Sequence, residues 1–427
     1  MAPPVCDISF EDNSHGVFLA GQTIVGQVDI QVPKAKKVRS VYLRLTGQGS
    51  CKWAETRETG SSAVFSSREE YAAHTVVFLS GSSSESSEEV ELGEGSHRYR
   101  FSYRLPPECP TSFEGDFGYV RYTIRIVFER PWKYDLTYKI AFTVVQQLDL
   151  NRISPPLNEA IVKENMRQFS CGPCRSAPMI MTVCVPMTGY VPGQLVRVTV
   201  DIMNKSRKDI SEVKLKLRRQ VKYLSQSPSE RSKTVFCTLV KYQCSGVDRD
   251  RSAGYERRLL IPPEPPTRSS TIIRIEYFIE IIAKVVGLHA SPRVKIPITI
   301  GTVPLANLNK SQEQSSVVDG NPMLKGVSTT SVSNLATQHM ASSLQSLKMP
   351  HSFEESPSRA AIDIQEDDEQ QTLGAKPFAP RYPVYKFGEG APSTAASTTA
   401  TATLTTTPTT PAEMTKIEPV KGSNGVS

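Results

Sequence analysis

The chain has 427 residues, room for two or three domains of ordinary size. Its hydrophobic content of 38% is low for one globular body. The shortfall lies beyond Pro304, where Ser, Thr, Pro, Gln and Asn dominate and too little apolar surface exists to offset lost chain entropy. Residues 1–302 carry a net charge of +10 and residues 303–427 a net −3. A moderately basic body suits an anionic membrane surface or acidic and phosphorylated partners, and no motif for nucleic acid accompanies it. The start lacks a basic and apolar leader, and no run reaches the ~18 apolar residues of a membrane span. Eight cysteines in such a chain are expected to be reduced thiols.

In chain order, the first strong feature is Gly21-Gln22-Thr23-Ile24-Val25-Gly26-Gln27-Val28-Asp29-Ile30. It returns as Gly193-Gln194-Leu195-Val196-Arg197-Val198-Thr199-Val200-Asp201-Ile202, at an offset of 172. The offset holds from Val41-Tyr42-Leu43-Arg44-Leu45 to Val213-Lys214-Leu215-Lys216-Leu217. It then drops to 156: Leu105-Pro106-Pro107-Glu108 answers Ile261-Pro262-Pro263-Glu264, and Phe142-Thr143-Val144 answers Ile298-Thr299-Ile300. The 16-residue difference places an insertion in the first copy, for which the Ser/Glu-rich run Ser80 to Ser96 is the natural candidate, read as an exposed loop.

Within each copy apolar and polar residues alternate. Val41, Leu43 and Leu45 face one side and Tyr42 and Arg44 the other; Tyr122, Ile124 and Ile126 alternate with Thr123 and Arg125. Period-2 patterning over short runs between Gly, Pro and Ser predicts half-buried strands, and several such runs per ~150 residues predict a β-sandwich. The predicted class is all-β: two tandem immunoglobulin-like sandwiches over 1–150 and 159–304, a proline-containing linker at 151–158, and a disordered regulatory tail over 305–427. Prolines at 155 and 156 make that linker short and stiff.

Several blocks now resemble a known family. They are Lys52-Trp53-Ala54-Glu55, Gly115-Asp116-Phe117-Gly118-Tyr119 and Glu129-Arg130-Pro131-Trp132 in the first copy, with Gly189-Tyr190-Val191-Pro192-Gly193-Gln194 and Gly301-Thr302-Val303-Pro304-Leu305 in the second. Over roughly residues 5–305 the chain resembles the arrestin-domain-containing proteins, the α-arrestin branch of the arrestins. The resemblance implies a cytosolic, non-enzymatic adaptor recruited to plasma membrane and endosomes. It would bind transmembrane cargo tails through the arrestin domains and HECT-type ubiquitin ligases through tail Pro-Pro-x-Tyr motifs that dock on WW domains.

No Pro-Pro-x-Tyr occurs in this chain. The nearest candidate is the one aromatic-rich island of the tail, with Phe378, Pro380, Tyr382, Pro383 and Tyr385, a candidate motif for a WW domain or another peptide-binding partner. A second candidate site is basic. Lys34, Lys36, Lys37 and Arg39 occupy a turn of the first copy, and Lys205, Arg207 and Lys208 the same turn of the second. Anionic lipid attracts such residues by about 1 kcal/mol each near the surface. Charge kept for solubility is the competing reading. Arg218, Arg219 and Lys222 follow nearby.

Other features point away from chemistry. Cys171-Gly172-Pro173-Cys174 has the spelling of a redox motif, but strand-like sequence surrounds it and no helix start lowers a thiol pKa there. No second cysteine pair completes a metal site, and no phosphate loop or nucleophile elbow occurs, so no cofactor or metal is expected. The acidic run Ile362 to Glu369 and the stretch Thr394 to Thr410, with 10 threonines, read as solvated linkers. An adaptor is the leading function. A coat or sorting subunit of the retromer kind is the alternative, and a redox or metal protein using Cys171 and Cys174 the second.

Overall fold

The computed structural model describes residues 3–56, 60–81, 89–171, 174–175, 177–267, 270–287, 289–306, 350–357 and 378–387. Strands dominate, and the one helical turn among the described residues is a 3-10 turn at Leu150–Arg152. In the first copy the strands are β1 (Val5–Phe10), β2 (Val17–Leu19), β3 (Thr23–Val32), β4 (Lys36–Val38), β5 (Ser40–Thr56), β6 (Ser62–Ser80), β7 (Val90–Leu92), β8 (Gly95–Arg104), β9 (Phe113–Gly115), β10 (Gly118–Glu129) and β11 (Leu136–Val145). The second copy supplies β12 (Ile161–Arg167), β13 (Ser170–Cys171), β14 (Cys174–Arg175), β15 (Met179–Val185), β16 (Gly189–Tyr190), β17 (Leu195–Asn204), β18 (Ile210–Ser225), β19 (Arg231–Val247), β20 (Arg251–Leu260), β21 (Ile273–Val285) and β22 (Arg293–Ile300). Beyond it lie β23 (Ser352–Glu355) and β24 (Arg381–Val384).

The repeat seen in the sequence is a repeat of topology. One sheet of the first copy runs β1-β3-β8 and the other β2-β11-β10-β5-β6; the second copy has β12-β15-β17-β20 and β16-β22-β21-β18-β19. Strands β3 and β17 span equivalent residues at the offset of 172, and β8 and β20 at 156. Alternation explains why these segments are strands: Ile24, Val28, Ile30 and Val32 of β3 are buried, as are Val196, Val198, Val200 and Ile202 of β17, while the residues between them face outward.

Most of the offset change arises where residues 81–94 of the first copy stand against residues 248–250 of the second. The stretch Ser80 to Ser96 is not simply a loop. Val90–Leu92 forms β7, pairs with β4, and buries Leu92, because Val90 and Leu92 meet Val38 and Lys36 across the ladder. Residues 82–88 lie outside the described residues.

Buried residues of both copies join in one continuous apolar cluster. The short linker 151–158 is packed against the body. Leu150 and Leu157 are buried with Val191, Asn151 Nδ2 donates to Pro304 O at 2.8 Å, and Leu157 O accepts from Thr188 N at 2.8 Å. Part of the segment assigned to the tail is also ordered onto the body. Residues 352–355 and 381–384 pair as antiparallel strands, with Phe353 opposite Pro383 and Glu354 opposite Tyr382. Residues 307–349, 358–377 and 388–427 lie outside the described residues, and with them the acidic run and the threonine stretch.

Candidate functional site: the seam between the two copies

The seam is built from β18, whose inward face begins with the same apolar triplet as β5. Past Leu217 the buried positions become Arg219, Val221 and Tyr223. At the equivalent places β5 has Gly47, Gly49 and Cys51. Large side chains from the second copy therefore reach into the first. The Tyr223 ring meets Phe117 edge-on at 5.9 Å, and its hydroxyl lies where a side chain on Gly115 would sit. Cys51 Sγ donates to Leu224 O at 3.3 Å, and Ser66 exchanges backbone hydrogen bonds with Ser227.

Arg219 is the electrostatic centre. It is 6% exposed, and its Nη1 lies 2.5 Å from Oε2 of Glu264, itself 1% exposed. The guanidinium also lies over the Phe113 ring of β9 at 5.5 Å. Tyr277 donates its hydroxyl to Pro265 O at 2.7 Å and faces Glu264 Oε2 at 3.5 Å. Burial raises the Glu264 carboxyl above its ordinary value while Arg219 pulls it down. Burial alone would lower the Arg219 guanidinium, yet Glu264 first, then Tyr277 and Tyr382, hold it above its ordinary value. The short contact decides that the pair is ionised. Nearby, Arg121 grips Glu114 with two bonds of 2.6 and 2.8 Å.

The tail island completes the site. Phe378 is half-buried, whereas Pro380, Tyr382, Pro383 and Tyr385 are buried, the two tyrosines at 2% exposure each. Both copies hold the strand. Arg381 N donates to Thr143 Oγ1 at 3.1 Å and Tyr382 OH to Ser112 O at 3.0 Å in the first copy. In the second copy Tyr385 N donates to Pro192 O at 3.0 Å and its hydroxyl to Thr302 O. The preceding segment adds Ser356 Oγ, which donates to Glu264 Oε1 at 2.8 Å, and His351, whose Nδ1 accepts from Lys386 N. Gly193 makes room: at φ +89° it lies so close that an added Cβ would be 1.9 Å from Tyr385 O. Burial raises the Tyr385 phenol to about 12 and raises the Tyr382 phenol as well.

The basic candidates are elsewhere, at equivalent corners of the two copies. Lys34, Lys37 and Arg39 are exposed and Lys36 is half-buried on β4; Lys37 pairs with Glu89 at 3.1 Å. Lys205 and Arg207 are exposed and Lys208 is half-buried, on a turn tied down by buried Asn204, whose Nδ2 reaches Lys208 O, Val247 O and Asp248 O. Arg218 and Arg219 leave the surface patch: the first pairs with buried Glu280 at 3.0 Å, the second with Glu264. Parity along β18 was the available signal, since Arg219 shares the face of Leu215 and Leu217.

Cys171 and Cys174 are opposite each other in the short strand pair β13–β14, not at a helix start. Among the described residues no cluster of three His, Cys, Asp or Glu could hold a metal, and no helix is long and apolar enough to cross a membrane.

Two family models match the chain: Arrestin (or S-antigen), N-terminal domain, over residues 6–151, and Arrestin (or S-antigen), C-terminal domain, over residues 175–305. The chain belongs to the arrestin-domain-containing family, of the α-arrestin type. It is similar to Arrestin domain-containing protein 17 of Caenorhabditis elegans, 28% identical over 88% of this chain and 97% of that protein. Arrestin domain-containing protein 4 of Mus musculus is 26% identical over 70% of this chain and 72% of its own length. Arrestin domain-containing protein 1 of Rattus norvegicus is 26% identical over 67% and 62%. This arrestin-domain protein is thus an adaptor that works by binding other proteins, not an enzyme.

Proposed function

We propose that this arrestin-family adaptor binds the cytoplasmic tails of membrane-protein cargo and links them to a ubiquitin ligase or to endocytic and endosomal sorting machinery. The observation that carries the reading is the seat at the seam. It holds the extended Arg-Tyr-Pro-Val-Tyr segment through the Arg381 amide on Thr143 of the first copy, the Tyr385 amide on Pro192 O of the second, and two buried rings, the means by which linear peptides are read. The chain's own segment fills it here, so tail and cargo compete for one surface, and a WW domain reaches Tyr382 and Tyr385 only when the strand is released.

Proximity labelling in cells, comparing the full chain with Tyr382→Ala/Tyr385→Ala, tests the link. Loss of ligases with cargo retained is expected. Ligases labelled as before would remove these tyrosines from recruitment. The exposed corner cations would add an anionic-membrane contact. Lys34→Glu, Lys36→Glu and Lys37→Glu together should weaken binding to anionic liposomes, and unchanged binding would refute that contact.

A further inference from the structure

One group at the seam is unaccounted for by cargo or ligase binding. Ser356 is half-buried, its Oγ donates to Glu264 Oε1, and the next residue is the exposed Pro357. We propose that Ser356 is a phosphorylation site for a proline-directed kinase, and that its phosphate keeps the released tail hairpin β23–β24 from returning to the seam. In the transfer, Oγ bonds to the γ-phosphorus of a nucleoside triphosphate. The bond to the β–γ bridging oxygen breaks, the nucleoside diphosphate leaves with its electron pair, and the hydroxyl proton goes to the kinase's base.

The local chemistry tolerates the hydroxyl and not the ester. The hydroxyl is a donor to a carboxylate; the phosphate has lost that proton and brings a charge of about −1.5 to −2. Glu264 is 1% exposed and already takes Arg219 at 2.5 Å, so little water screens the new charge. Of the nearby cations, Arg121 is engaged with Glu114, and Arg381 lies 3.8 Å from Glu355. Glu354 and Glu355 precede the serine and add to the repulsion. Ser356 is occupied while the hairpin is docked, so a kinase acts on the released form and the phosphate then prevents return, a shift of population and not a forced opening. Release uncovers Tyr382 and Tyr385 together with the carbonyls of Ser112 and Thr302 that their hydroxyls had capped. The inference does not depend on the identity of any cargo or ligase.

The experiment uses the full chain with phosphoserine genetically encoded at 356, and reads amide hydrogen exchange in 350–357 and 378–387, with β18 and β21 as internal controls of folding. Exchange in the two tail segments should quicken by about tenfold or more while the controls stay protected. Unchanged or greater protection, as would follow if Arg219 accepted the phosphate, overturns the proposal. Ser356→Ala removes one hydrogen bond to the buried Glu264 carboxylate and should quicken exchange in the two tail segments by clearly less than phosphoserine does; loss of protection equal to that of phosphoserine would mean that the charge is not the cause. Glu264→Gln combined with phosphoserine should restore part of the protection. Separately, the full chain is incubated with a purified proline-directed kinase and ATP and mapped by mass spectrometry; absence of phosphate on Ser356 refutes the site.

Discussion

The same motif, Pro-Pro-Glu, stands at the same point of both sandwiches and meets opposite fates. Glu108 of the first copy is exposed, whereas Glu264 of the second is buried against Arg219. The strand that faces them differs in the same way. Where the second copy has Arg219, the first has Gly47, over which the Tyr122 ring lies so closely that a Cβ would meet it at 2.5 Å. Tyr122 and Tyr277 nonetheless do the same job, each donating to a proline carbonyl at 2.7 Å twelve residues earlier. Duplication kept the frame of the sandwich and, at the seam, changed the inward face of one strand. The first copy has small residues there, covered by its own Tyr122 and Tyr71, and the second has Arg219 and Tyr223, which reach Phe113 and Gly115 of the first.

The largest test of that contrast is removal of one partner of the buried pair. Arg219→Ala should cost about 3–5 kcal/mol, because Glu264 is left charged without its cation, and Glu108→Ala less than about 0.5 kcal/mol. Thermal and denaturant unfolding of the two variants gives the comparison directly, and equal effects would remove the special standing of the seam. The glycines come next. Gly21 and Gly193 are equivalent and both have positive φ, +84° and +89°. Alanine at either costs roughly 1–2 kcal/mol of backbone strain. Only at Gly193 does the new methyl collide with Tyr385 O; at Gly21 the nearest atom, on Pro107, is 3.5 Å away. Gly193→Ala should therefore release residues 378–387, seen as lost amide protection or protease cleavage there, and Gly21→Ala should not.

Tyr382→Phe is gentler. It strands the Ser112 carbonyl and should loosen the docked strand by about 1–3 kcal/mol, measurable by exchange in 378–387. The smallest effect is on pH. A released phenol ionises near 10, while docking raises that of Tyr385 to about 12. Between these values the released tail gives up a proton that the docked tail keeps, so docking weakens as pH rises through that window. Tyr385→Phe should weaken the dependence, leaving the share that Tyr382 contributes in the same direction, and protection of the docked strand that stays constant across this window in wild type would contradict the buried position of the rings.

Much of the fold was legible because periodicity is local. Alternation at period 2 located β3, β5, β10, β17 and β18, and the two offsets paired them across the copies. Where local pattern was the wrong guide, a distant partner was the reason. Val90 and Leu92 sit in a polar run and become a strand because β4 lies beside them. The aromatic island of the tail, Phe378 to Tyr385, stood out in the sequence as a candidate motif for a partner, but its docking on the same chain was not legible, since the residues that hold it, such as Ser112 and Thr143, lie far away in sequence.

What the sequence by itself determined is the duplicated β-sandwich frame, since burying one face of an alternating strand requires only that pattern and a second sheet to cover it. The tertiary structure alone decided which charges go inside and what covers the seam. Arg219 meets Glu264 across 45 positions of sequence, and Glu264 meets Ser356 across 92. A charge is buried only where such distant groups converge to replace its water, and no local pattern encodes that convergence.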